Sequence, residues 1–187
     1  MRRRSAARVA CGLLLALAGL LGAGAAGAAV SPQIAAARLQ GNYAVSGVVT
    51  RAVGVAGERR GQRVRRTWNF ISPCPTGACP VLGLHRQRAG GVAPLFLRQV
   101  SPGTYTGAGV FAAPVRCHGR LYRRGSDVPY TITLTVTAAA PQPDGSTLAT
   151  GFSAAYRNRG RVGHTRCYSP PSYDSARYLG VLAPPPR

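Results

Sequence analysis

The sequence predicts an all-β fold, a small antiparallel up-and-down barrel of about eight to nine strands, with a two-sheet β-sandwich as the alternative. Three observations carry this. In Tyr130-Thr131-Ile132-Thr133-Leu134-Thr135-Val136-Thr137, large apolar residues alternate with threonine over the whole run, the pattern of a strand with one buried face. Turn-forming strings such as Ser101-Pro102-Gly103 and Pro141-Gln142-Pro143-Asp144-Gly145 punctuate the chain at short intervals. Behind the N-terminal segment, no long stretch repeats its apolar positions with a helical period.

Along the chain of 187 residues, the first element is a leader covering 1–29. Arg2, Arg3, Arg4 and Arg8 form a positive n-region, Cys11 to Leu21 an apolar h-region, and Ala26-Gly27-Ala28 the small-x-small site that a signal peptidase cuts. The expected location of the remainder is therefore extracellular. A membrane tether by an uncleaved signal anchor is the alternative, because Val9 to Val30 is uncharged for long enough to span a bilayer. The Gly/Ala content of its second half favours cleavage. No other stretch is long and apolar enough to span, so no membrane segment is expected once the leader is removed.

Residues 30–40 read as an N-terminal extension in which only Ile34 to Leu39 suits a short helical turn. The barrel domain is assigned to 41–182. Gly41 to Thr50 is its first strand. Gln62 to Phe70 places Val64, Trp68 and Phe70 on one side and Arg63, Arg65, Thr67 and Asn69 on the other, with Arg66 falling on the apolar side. Val81 to Arg88, Val92 to Val100 and Thr104 to Phe111 follow, then Tyr130 to Thr137, Leu148 to Tyr156, Gly163 to Tyr168 and Ala176 to Leu182. Closing such strands into a barrel removes exposed edges. About eight of them enclose just enough room for side chains or one small ligand. The tail 183–187, Ala-Pro-Pro-Pro-Arg, cannot pair in a sheet and is expected to be loose.

All 24 basic residues are arginine, opposed by Glu58, Asp127, Asp144 and Asp174 alone. Four of these arginines leave with the leader, so the mature domain carries a net charge near +16. The absence of lysine fits a GC-rich genome; the excess of charge should attract polyanions or anionic envelopes. Cys11 also leaves with the leader, and Cys74, Cys79, Cys117 and Cys167 remain for an oxidising compartment. Cys74 to Cys79 is the natural local clip, which leaves Cys117 with Cys167 as a long-range staple. In the chain-entropy account these contribute about 2 and about 4 kcal/mol. A zinc site is the competing use of these cysteines, and it lacks a second Cys or His pair at ligand spacing.

Arg66-Thr67-Trp68-Asn69-Phe70, followed by Cys74 and Cys79, Gly103-Thr104-Tyr105-Thr106-Gly107 and Cys117, resembles a group of uncharacterised secreted actinobacterial proteins with the pattern R-T-W-x-F, a short Cys loop and G-x-Y-x-G. That resemblance implies fold and compartment and carries over no catalytic residue. Leu39-Gln40-Gly41-Asn42-Tyr43 is similar to the first strand of lipocalins, with Tyr43 where their G-x-W motif has tryptophan, which implies a lipocalin-like barrel architecture.

Groups able to catalyse are scarce. His85, His118 and His164 and the four acids are the whole supply of general acids and bases. The expected staple would bring His118 and His164 together, and a basic ribonuclease-like hydrolase could use a histidine with Glu58. Glu58 sits in a loop beside Arg59 and Arg60, however, and no nucleophile elbow, phosphate-cradling glycine loop or His-x-x-x-His pair is present. A non-enzymatic protein without cofactor or metal is the expectation. Its ligand, small and acidic or apolar, would meet Arg66, Trp68, Phe70, Tyr43 and Tyr130 inside the barrel, with Arg66 as a buried cation. An anionic envelope polymer would meet the surface clusters Arg59, Arg60, Arg63 and Arg65; Arg120, Arg123 and Arg124; and Arg157, Arg159 and Arg161. Nucleic acid would suit the same charge, but no nucleic-acid motif accompanies it. Docking on another exported protein is the alternative role.

Overall fold

Short turns between alternating segments leave each strand little choice but to pair with the next, and in the computed structural model this pairing runs all the way round. The structure describes residues 30–88, 91–166 and 171–184. The predicted leader, Cys167 and the last three residues of the tail lie outside them. β1 (Gly41–Val53), β2 (Arg63–Ile71), β3 (Val81–Arg88), β4 (Gly91–Ser101), β5 (Thr104–Cys117), β6 (Arg120–Pro141) and β7 (Thr147–Asn158) are joined one to the next by antiparallel pairing. After the two-residue β8 (Val162–Gly163), β9 (Tyr173–Leu182) lies between β7 and β1 and closes the ring. The result is an eight-stranded up-and-down barrel with one extra strand, so the sandwich alternative is excluded.

Three local expectations change. The run read as a strand over Gly163 to Tyr168 forms only Val162–Gly163 among the described residues; it pairs with the start of β6, outside the ring. The short helix α1 spans Pro32–Ala36 instead of Ile34 to Leu39. Its start is set by Ser31, whose side chain accepts from the Ile34 amide, and by Pro32 at the first helical position. Finally, β5 and β6 extend well past Phe111 and Tyr130 into a long hairpin closed by His118 and Gly119, both with positive φ (49° and 80°), as a two-residue turn requires. No helix among the described residues is long and apolar enough to cross a membrane.

The inward positions of the ring fill one half of the barrel. Tyr43, Phe70, Leu84, Leu97, Tyr105, Leu134 and Phe152 are fully buried there, and Tyr43, Phe70 and Phe152 meet at ring distances of 5.2–5.4 Å. Rings this large fit inside eight strands because inward glycines lie directly opposite them. Gly180 pairs with Phe152, Gly47 with Tyr178 and Gly109 with Tyr130, and a Cβ on any of the three would overlap the facing side chain. The N-terminal extension covers this end. Ala37 and Leu39 are buried, Arg38 bridges to Leu148, and its guanidinium donates to the carbonyl of Pro75 within the disulfide loop. The Cys74–Cys79 disulfide is present in that loop, with Ser72 and the Cys74 amide both donating to the Cys79 sulfur at 2.9 Å. Cys117 is disulfide-bonded as well, and its expected partner Cys167 lies outside the described residues.

Candidate functional site

The opposite end of the barrel stays open. An inward position every second residue carries the pattern up β2 as Phe70, Trp68 and Arg66, and up β3 as Leu82, Leu84 and Arg86, so apolar side chains give way to guanidinium groups at the mouth. They surround a cavity of about 270 Å³. Trp68, Phe111, Tyr156 and Tyr178 form its aromatic wall, and Arg66, Arg86 and Arg161 face them with Glu58 and Asp174. Trp68 stacks on Phe152 at 5.5 Å and meets Tyr178 at 5.3 Å, which joins the wall to the filled half below.

The structure separates residues that the sequence grouped together. Arg66 and Trp68 line the cavity. Tyr43 and Phe70 belong to the packed half beneath, and Tyr130 is buried under the Arg86 guanidinium, which lies 4.3 Å from its ring centre. The expectation of Arg66 as a buried cation is corrected: it stands exposed at the rim and donates to the Arg65 carbonyl at 3.1 Å, because strand β2 ends its inward row where the barrel opens. The buried cation is Arg86, 6% exposed. Its signal was present in sequence as the third member of the Leu82, Leu84 row, and the same reasoning applies to Asp174 two residues before Ala176. Arg161, expected on the outer surface, lines the cavity, and its buried Nε has no hydrogen-bond partner among the described residues. Glu58 also reaches the cavity from the β1–β2 turn.

Burial raises the Tyr178 hydroxyl above the ordinary tyrosine range, with Arg66 and Arg86 pulling it down and Glu58 and Asp174 pushing it up. All four charges therefore act on one wall of the cavity. Tyr43 and Tyr105, in the filled half, are raised by burial alone or nearly so; Tyr43 donates to the Ala149 carbonyl.

The remaining arginine clusters are distributed over distinct surfaces. Arg59 and Arg60 sit exposed in the β1–β2 turn beside the mouth, Arg63 and Arg65 on the outer face of β2, and Arg120, Arg123 and Arg124 on the hairpin. Arg157 and Arg159 lie on the outer side of β7 and just beyond it. Of the histidines, His164 engages Asp127 at 3.0 Å near the start of β6, His118 occupies the hairpin turn, and His85 is opposite Asn69 and Pro94 on the outer side of β3. Among the described residues, no three His, Cys, Asp or Glu side chains gather into a metal-ligand set. No protein-family model, curated protein or solved structure matches the chain.

Proposed function

We propose that this chain is an exported, non-enzymatic barrel that binds a small aromatic or apolar acid in the cavity at its open end. One observation carries the reading: three guanidinium groups and four aromatic side chains converge on a 270 Å³ recess in a barrel that is otherwise filled. That volume is just under the range of drug-sized ligand sites, about 300–1,000 Å³, so the ligand is of the size of one or two fused rings. The buried Arg161 Nε supplies a donor for its carboxylate, and Arg66 supplies a second guanidinium at the rim. The n-, h- and small-x-small regions of residues 1–29 and the Cys74–Cys79 disulfide support export.

Trp68 is the only tryptophan and forms part of the wall, so its fluorescence reports the cavity directly. The test is a titration of the whole oxidised protein with 2-naphthoate and with its neutral counterpart 2-naphthylmethanol. Saturable quenching by the acid is expected, and Arg66→Gln should weaken it about tenfold or more, since a hydrogen bond to a charged group contributes about 1.5–3 kcal/mol. Equal affinity for the neutral compound, or no saturation, refutes the reading. Docking on another exported protein is a second reading, favoured by Phe96, which is 72% exposed on β4 with Val92 and Val100 on the same outward side. A cavity indifferent to both compounds, in a protein that associates in sedimentation, would favour it.

A further inference from the structure

The outer wall of the barrel carries a second, independent arrangement of charge. Between Val49 and Arg51 the β1–β9 register slips by one residue, and this bulge leaves both Thr50 and Arg51 on the outer side, opposite Ser175. The Thr50 and Ser175 hydroxyls meet at 2.9 Å. On the other flank of Ser175, β7 places Arg157 directly across, and Arg177 follows two residues along β9 on the same face. Three arginines thus flank one pair of hydroxyls on one outer face, their Cα atoms about 7–10 Å apart as strand spacing and diagonal neighbours set them. Like charges on adjoining strands oppose folding. Neither Arg157 nor Arg177 has a hydrogen bond or ion pair with a described residue that would offset this. Of the four acids of the chain, Glu58 in a turn, Asp127 in β6 and Asp144 in the β6–β7 turn lie away from this cluster, while Asp174, which borders the recess, is buried at an inward position.

The recess over these groups, about 570 Å³, is too large for one small anion and does not stop there. It shares Thr50, Ala155 and Arg177 with a second trough of about 840 Å³ that runs across β1 to Arg63 and Arg65. Small side chains, Ser46, Ser153 and Thr133, form the floor of that trough and keep it open. We infer that this furrow binds a linear polyanion with phosphates along its backbone, seated by Arg51, Arg157 and Arg177 at one end and Arg63 and Arg65 at the other. Two tyrosines line the first recess: Tyr156 is buried at an inward position, and Tyr173 is covered by Arg51, which donates to its hydroxyl at 2.8 Å and lies 4.4 Å from its ring centre. The furrow therefore reads backbone charge and offers no platform for stacked bases.

The experiment measures fluorescence anisotropy of a labelled short inorganic polyphosphate, and of a labelled oligothymidylate, with the whole oxidised protein over a range of salt. The variant is Arg157→Gln with Arg177→Gln, two side chains that hold nothing else in place; the matched control is Arg123→Gln with Arg124→Gln on the hairpin, which removes the same charge. Polyphosphate should bind with a steep loss of affinity as salt rises. The furrow variant should lower that slope by about 1.4, from about 0.7 per lost phosphate contact, while the control changes it by less than half as much. Equal losses in the two variants would show attraction by net charge alone and overturn the assignment. A clear preference for oligothymidylate over polyphosphate, or no binding of polyphosphate at low salt, would overturn it as well.

Discussion

Gly180→Ala is the sharpest probe of how the barrel is filled. The added methyl would sit inside van der Waals contact of three ring carbons of Phe152. That ring has no room to retreat, because it is buried against Tyr43, Trp68 and Phe70 at 5.3–5.5 Å between ring centres. Overpacking of this kind costs about 1–3 kcal/mol. For a domain of this size it lowers the melting temperature by about 2–4 °C per kcal/mol, hence by about 2–12 °C in all. Gly160→Ala is the control, since nothing lies within 4 Å of its Cβ position and its φ is not positive; it should be neutral or slightly stabilising. Thermal unfolding followed by Trp68 fluorescence measures both. Shrinking the ring with Phe152→Leu should make the two changes couple, so that Gly180→Ala costs less in that background than alone. If Gly180→Ala is as stable as Gly160→Ala, or if its cost is unchanged by Phe152→Leu, the pairing of glycine with facing ring does not govern the packing.

Two further outcomes follow from groups placed above. Tyr43, Tyr105 and Tyr178 are all raised above the ordinary tyrosine value by burial, so the folded barrel keeps them neutral where the unfolded chain ionises. The stability this provides is complete below pH ~10 and falls as pH rises beyond it, by about 1.4 kcal/mol per pH unit for the fully buried Tyr43. Urea unfolding between pH ~8 and ~11 should show this decline, and Tyr43→Phe should make it shallower; an unchanged slope refutes the assignment. Cys74→Ser opens the local loop and should cost about 2 kcal/mol, while Cys117→Ser should cost more if it releases the longer loop to Cys167. Urea midpoints rank the two, and peptide mapping identifies the partner of Cys117.

The strands most legible in the sequence are those whose two faces differ in chemistry. Val81 to Arg88 coincides with β3, and Tyr130 to Thr137 is the centre of β6, where threonine marks the wet side and apolar side chains the dry one. The β5–β6 hairpin is not legible in the sequence. Its outer half has one side shared with the mouth, so Arg, Gly and Ala replace the apolar row, Pro114 falls in the register shift between Ala113 and Val115, and His118 stands where Asn or Asp would have announced the turn. The candidate site was half visible for a similar reason. Arg66 breaks a row that ends in Trp68 and Phe70, whereas Arg86 follows only Leu82 and Leu84 in a strand whose other face, with His85 and Gln87, is polar too, so its inward side stands out less. Arg51 could not have been assigned to the outer face at all, since only the bulge beside it puts two successive residues on the same side.

Ring closure between β1 and β9 has a consequence for how the molecule is made. Thr50 meets Ser175 across 125 residues of chain, so the first strand of the barrel has one lateral neighbour missing until the last strand has been made. During that interval its unpaired amides and carbonyls, and the rings destined for the interior, are open to solvent and to other chains. Assembly is accordingly expected to be slow compared with that of a helical bundle of equal length. It should also depend on the final segment: a chain stopped before Tyr173 would present two open edges at once, and would be prone to pair with its own copies.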